Sequence, residues 1–137
     1  MKPIWIVDDD QSIRFVLEKA LLRENLPTRS FTSPREVLQA LDAAGEDEGP
    51  QILVSDIRMP GGSGLDLLTK VKERLPTLPV IIMTAFSDLD SAVSAFQGGA
   101  FEYLPKPFDL PKAVELIRRA VDESQREQAQ SELQDAT

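Results

Sequence analysis

Ile4-Trp5-Ile6-Val7-Asp8-Asp9-Asp10 carries four apolar residues straight into three carboxylates. A short apolar run of this kind reads as a strand. An amphipathic stretch follows it. Ile13, Val16, Leu17, Ala20 and Leu21 fall at i, i+3, i+4, i+7 and i+8, the period of one helix face. Pro27 closes that segment.

The same alternation recurs along the chain. Residues 28–32 suit a short second strand. Ser33-Pro34-Arg35-Glu36 is a capping box with Pro at the first helical position, and Val37, Leu38 and Leu41 give its helix an inner face. Residues 45–50 are an acidic turn. Gln51-Ile52-Leu53-Val54-Ser55 is a third strand that ends on Asp56. Pro60-Gly61-Gly62-Ser63-Gly64 reads as a flexible loop, and the helix after it turns Leu65, Leu68, Val71 and Leu75 inward. Pro79-Val80-Ile81-Ile82-Met83-Thr84 is a fourth strand, apolar enough to be covered on both faces. Ser87 is placed to cap a fourth helix that runs to Phe96 and stops at Gly98-Gly99, with Leu89, Val93 and Phe96 read as core. Residues 101–104 are the fifth strand, followed by Pro105-Lys106-Pro107. Asp109 suits the cap of the last helix, whose inner face is Ala113, Leu116, Ile117, Ala120 and Val121.

Five strand–helix pairs with short links predict an α/β fold with one parallel sheet covered by helices on both faces. Right-handed crossovers and five strands favour the flavodoxin-like order 2-1-3-4-5. The domain is expected over 1–121. Residues 122–137, rich in Gln, Glu and Ser, read as a helical extension or a linker to a downstream domain.

Composition narrows the chemistry. The chain has 137 residues, 42% of them apolar, and contains no Cys and no His. That removes disulfides, thiolate nucleophiles, Cys/His zinc sites and Ser-His-Asp catalysis. A metal would need oxygen ligands and so would be a hard cation. With 15 Lys+Arg against 23 Asp+Glu the net charge is −8, which disfavours direct contact with nucleic acid. No apolar run reaches a membrane span and the start is too quickly acidic for a signal peptide, so a soluble, cytoplasmic location is expected.

In an open α/β sheet a site forms where the winding reverses, between strands 1 and 3. Asp8-Asp9-Asp10 ends the first of these and Asp56 the other. Thr84 and Lys106 stand at the neighbouring strand ends. Carboxylates brought together repel one another, and a cation such as Mg²⁺ or Mn²⁺ relieves this. A nucleotide-binding domain instead places Gly and backbone N–H groups after strand 1, and no such glycine motif occurs here. A carboxylate beside a hard cation, with a Lys opposite, is equipped for phosphoryl transfer to Asp. Thr84 could donate to a phosphoryl oxygen, and Ala85 is small enough to leave it room.

Val7-Asp8-Asp9, Asp56-Ile57-Arg58-Met59-Pro60, Met83-Thr84-Ala85 and Lys106-Pro107-Phe108 together resemble the receiver domain of two-component response regulators. The resemblance covers residues 3–121. It implies Asp56 as phosphoacceptor and Lys106 as phosphate partner, with Thr84 and Tyr103 as a switch pair. It further implies Mg²⁺ held by Asp9 and Asp56, by Asp8 through water, and by the Arg58 carbonyl. The Lys106–Pro107 bond is often cis in that family. Asp10 is not one of its two acidic positions. The implied partner is a sensor histidine kinase, and the implied role is a phosphoacceptor switch rather than an enzyme. Dimerisation would use the face of helix 4, strand 5 and helix 5.

The stretches 5–10, 55–60 and 87–109 are similar, more narrowly, to the NtrC family of nitrogen regulators. That family continues into an AAA+ ATPase acting on the sigma-54 polymerase and a DNA-binding domain. Two other readings stand beside the switch. Asp8-Asp9-Asp10 contains the D-x-D of Mg²⁺-dependent, haloacid-dehalogenase-like phosphatases, though the chain is short for a cap domain. A flavodoxin-like electron carrier is opposed by three carboxylates where a flavin phosphate would sit.

Overall fold

The computed structural model describes residues 2–44, 49–59, 62–85, 87–107 and 109–135. The strands are β1 (Ile4–Val7), β2 (Thr28–Phe31), β3 (Ile52–Asp56), β4 (Arg58–Met59), β5 (Gly62–Ser63), β6 (Val80–Ala85) and β7 (Glu102–Lys106). The helices are α1 (Gln11–Arg23), α2 (Pro34–Ala43), α3 (Gly64–Arg74), α4 (Leu89–Gln97) and α5 (Leu110–Asp135). Five strands form one parallel sheet in the order β2-β1-β3-β6-β7. With the two-residue β4 and β5 set aside as a separate antiparallel pair, this is the expected 2-1-3-4-5.

Side-chain alternation along the strands supplies both faces. Ile4, Ile6, Ile52, Val54, Ile81 and Met83 pack beneath α1 and α5. Trp5, Val7, Leu53, Val80 and Ile82 point the other way, toward α2 and α3. Since both faces are covered, the strands read as nearly continuous apolar runs. Every residue of β1 is fully buried, and the chain must turn polar where the sheet ends.

Several local expectations are corrected. Asp88, not Ser87, caps α4, accepting from the Ser91 N–H. Leu89, Val93 and Phe96 are exposed rather than core, at 63%, 54% and 44%. The small Ala92 and Ala95 turn inward instead and let α4 approach the sheet closely. Val16 is also exposed, because the buried stripe of α1 is confined to Leu17, Ala20 and Leu21. On α3 the buried stripe centres on Leu67, Leu68 and Val71, leaving Leu65 and Leu75 half-buried at its margins. The fifth strand continues to Lys106, with Thr84 opposite Pro105 and Ala85 opposite Lys106. Pro105 is tolerated because β7 lies at the sheet edge. The supposed flexible loop is partly ordered, with Met59 paired to Gly62 and Arg58 to Ser63. Pro60, Gly61 and Phe108, and most of the acidic turn (45–48), lie outside the described residues.

The Ser33 box caps α2, with its hydroxyl accepting from the Glu36 N–H. Glu36 in turn accepts from the Thr32 N–H and hydroxyl. The last helix keeps its predicted inner face of Ala113, Leu116, Ile117, Ala120 and Val121. It continues to Asp135, and its packing reaches Ser124, a buried hydroxyl that accepts from the Gln51 side-chain amide at 2.8 Å. No helix among the described residues is long and apolar enough to cross a membrane.

Candidate functional site

Sheet order decides which residues meet. β1, β3, β6 and β7 are successive neighbours, so the residues at their C-terminal ends converge on one edge. Asp8 follows β1 and its N–H extends the ladder to the Phe31 carbonyl. Asp56 is the last residue of β3, and Lys106 the last of β7. The Lys106 ammonium lies 2.9 Å from Asp8 Oδ2 and 3.3 Å from Asp56 Oδ1. Asp8 is fully buried, and its other oxygen accepts from the Asp10 N–H at 2.8 Å. Asp9 is exposed. One carboxylate oxygen from each of Asp8, Asp9 and Asp56 lies within 4.8 Å of the others.

Three carboxylates face one ammonium, and their electrostatics show the imbalance. Burial raises the Asp56 carboxyl above the ordinary value of 3.8, and the charge of Asp8 raises it further. Lys106 and the Ile57 N–H oppose that rise without cancelling it. Burial alone would lower the Lys106 ammonium, but its contacts with Asp8 and Asp56 outweigh this and hold it above 10.5. Such a set of oxygen donors, short of positive charge, fits a hard divalent cation. Asp10 stays out of the cluster. Its side chain accepts from the Ser12 N–H and caps α1.

Two supports of the site escape sequence reasoning. The first is Gly64, which opens α3 directly behind the β3 end. A Cβ there would stand 2.1 Å from the Asp56 carbonyl oxygen and 2.8 Å from Ile57 Cα. The Gly64 N–H also donates to the Ile57 carbonyl at 2.7 Å. Gly64→Ala is expected to destabilise the chain by about 1–3 kcal/mol through overpacking, measured by urea unfolding. The only signal for this glycine in the sequence is its place right after a helix cap, where no turn requires it.

The second is Asp88. Its carboxylate accepts from the Ser91 N–H, lies 3.5 Å from the Arg58 guanidinium, and feels the nearby Thr84 hydroxyl as a smaller influence. These contacts hold the Asp88 carboxyl below its ordinary value, Ser91 contributing most. Thr84 itself is buried at the acidic edge of the sheet, and its hydroxyl acts weakly on the Asp88 carboxylate at the start of α4. Asp88→Ala is expected to speed amide exchange at Ser91 and Ala92 while leaving the strands protected. Exchange unchanged in α4 would remove this role.

The remaining candidates are placed differently. Tyr103 sits opposite Ile82, away from the carboxylates, with its ring edge-on to Phe96 at 5.8 Å. The Arg58 side chain is 85% exposed and reaches toward Asp88. The Lys106–Pro107 peptide bond is cis.

Residues 4–118 match the response regulator receiver domain family. The chain belongs to that family. It is 58% identical over 124 residues to the transcriptional regulator NtrC of Klebsiella pneumoniae, and 56% identical over 125 residues to NtrC of Escherichia coli K12. These alignments cover 90% and 91% of this chain but 26% of either relative, so the chain spans about a quarter of their length. The apo receiver domain of NtrC, solved in solution, superposes with a TM-score of 0.79 at 56% identity, covering 90% of this chain and 97% of that one. The BeF3-activated NtrC receiver superposes at 0.74 with 55% identity, covering 91% and 99%. The chain is thus a receiver of the NtrC type.

Proposed function

We propose that this receiver accepts a phosphoryl group on Asp56 from the phosphohistidine of a sensor kinase. The observation that carries this reading is the Lys106 ammonium lodged between Asp8 and Asp56 at the end of the sheet. A carboxylate oxygen of Asp56 attacks phosphorus, and the bond from phosphorus to the donor imidazole nitrogen breaks as the imidazole leaves. Asp9 and Asp56 would hold Mg²⁺ directly, Asp8 through water, and Arg58 through its carbonyl. Bound Mg²⁺ supplies positive charge to the phosphoryl oxygens. Lys106 remains beside Asp56 to neutralise the new charge.

Thr84 gives the event a readout. Its hydroxyl can turn from the Asp88 side and donate to a phosphoryl oxygen, which alters the surroundings of the α4 cap. The face of α4, β7 and α5 then repacks around Tyr103 and Phe96. A phosphoryl group shifts this equilibrium only by interacting better with one state than the other. The solved apo and activated forms of the related NtrC receiver support a two-state description. Leu89, Val93 and Phe96 already lie exposed on this face, which suits a homodimer. A cytoplasmic location and control of a transcription-activating output of the nitrogen-regulator kind go with this reading, the AAA+ and DNA-binding parts lying on other sequence.

The role is a switch rather than a catalyst. Incubation with Mg²⁺ and a small acyl phosphate should yield at most one phosphoryl group per chain, decaying slowly. Sustained turnover of that donor or of simple phosphate esters, far beyond one equivalent, would favour a phosphatase instead. Asp10 argues against that alternative, because its carboxylate turns to cap α1 instead of joining the cluster of Asp8, Asp9 and Asp56.

A further inference from the structure

Arg14 stands in an unfavourable place for a cation. It is the fourth residue of α1, near the positive end of the helix dipole, and the first turn holds no acidic side chain. The residue is half-buried, and its guanidinium donates from Nη1 to the backbone carbonyl of Asp8 at 2.5 Å. Its charge also acts on Glu36 at the start of α2. Arg14 therefore ties the acidic turn after β1 to α1. Within that turn Asp8 already accepts from the Asp10 N–H, so the backbone around Asp9 is fixed from both sides. Asp9 itself is exposed.

We propose that Arg14 is a positioning residue for the cation site, holding the 8–10 turn so that the Asp9 carboxylate faces those of Asp8 and Asp56. This deepens the reading above and rests on it. The sign of the effect separates positioning from charge alone. A positive charge beside a carboxylate cluster repels Mg²⁺, so removing it should tighten binding if charge is all that matters. If positioning dominates, removing it should weaken binding. Partners that orient metal ligands change affinity by about ten-fold or more when lost.

The test is calorimetric Mg²⁺ titration of the wild-type chain, Arg14→Met and Arg14→Lys, with metal-free amide exchange at Asp10 measured alongside. Arg14→Met is expected to weaken Mg²⁺ binding by about ten-fold and to speed Asp10 exchange. Arg14→Lys, which keeps a donor for the same carbonyl, should recover most of the affinity. Mg²⁺ binding by Arg14→Met that equals or exceeds that of the wild type overturns the proposal, even if its thermal midpoint falls. A wild-type chain that binds no Mg²⁺ is a different result: it overturns the functional reading first, and this proposal with it.

Discussion

Lys106→Met is expected to cost about 3 kcal/mol of stability, the low end of the range for breaking a buried ion pair. The low end applies because the Lys106 side chain is 23% exposed, so water screens part of the interaction. The cost arises at Asp8, whose side chain is fully buried. Without Lys106 that carboxylate keeps, among the described residues, the Asp10 N–H as its one side-chain hydrogen bond and still faces Asp56. Adding Asp8→Asn should therefore recover most of the loss, since the stranded charge is gone. The check is a double-mutant cycle in urea at neutral pH. A loss well under 1 kcal/mol, or strictly additive mutations, would contradict this account of the cluster. The sign for pH follows from the direction of the Lys106 shift. Its folded value lies above the ordinary 10.5, so its contribution is complete at neutral pH and is lost only as pH climbs through the alkaline range above that value.

Asp56→Asn is expected to do two opposite things. Phosphoryl uptake falls below detection, because the amide cannot serve as the nucleophile. At neutral pH the fold becomes more stable, because burial and Asp8 both work against the ionised carboxylate. A carboxyl whose folded value is raised above 3.8 binds its proton more tightly when folded. Wild-type stability therefore carries a component that declines as pH rises from about 3.8 through the raised folded value, and the Asn variant lacks that decline. Thermal midpoints across the mildly acidic range measure it. A variant less stable than wild type at neutral pH, without Mg²⁺, would show that Lys106 more than compensates Asp56. Mg²⁺ should raise the wild-type midpoint and leave the variant's nearly unchanged.

Much of the fold is legible because the sheet is covered on both sides. Apolar strands such as 52–56 and 80–85 have no competing periodicity, and the topology then forces Asp8, Asp56 and Lys106 together. The exposed faces are less legible. Leu89, Val93 and Phe96 share helical spacing with a core stripe, yet the alanines of α4 are the residues that pack. Periodicity identifies a face but not which neighbour covers it. Gly64 and Arg14 are invisible for another reason. One is defined by a void too small for a methyl group, the other by a single bond to a main-chain carbonyl. Neither depends on a motif. Asp88 lies between these cases: Ser87 is the cap expected from the sequence, and the bond from the Ser91 N–H selects its neighbour instead.

The central claim is that the carboxylate of Asp56 takes the phosphoryl group. Intact-mass measurement after incubation with Mg²⁺ and a small acyl phosphate tests it most directly, followed by fragmentation to locate the adduct. The account predicts one base-labile phosphoryl group on Asp56, absent without Mg²⁺ and absent in Asp56→Asn. Equal uptake by Asp56→Asn, or an adduct on any other residue, would contradict it.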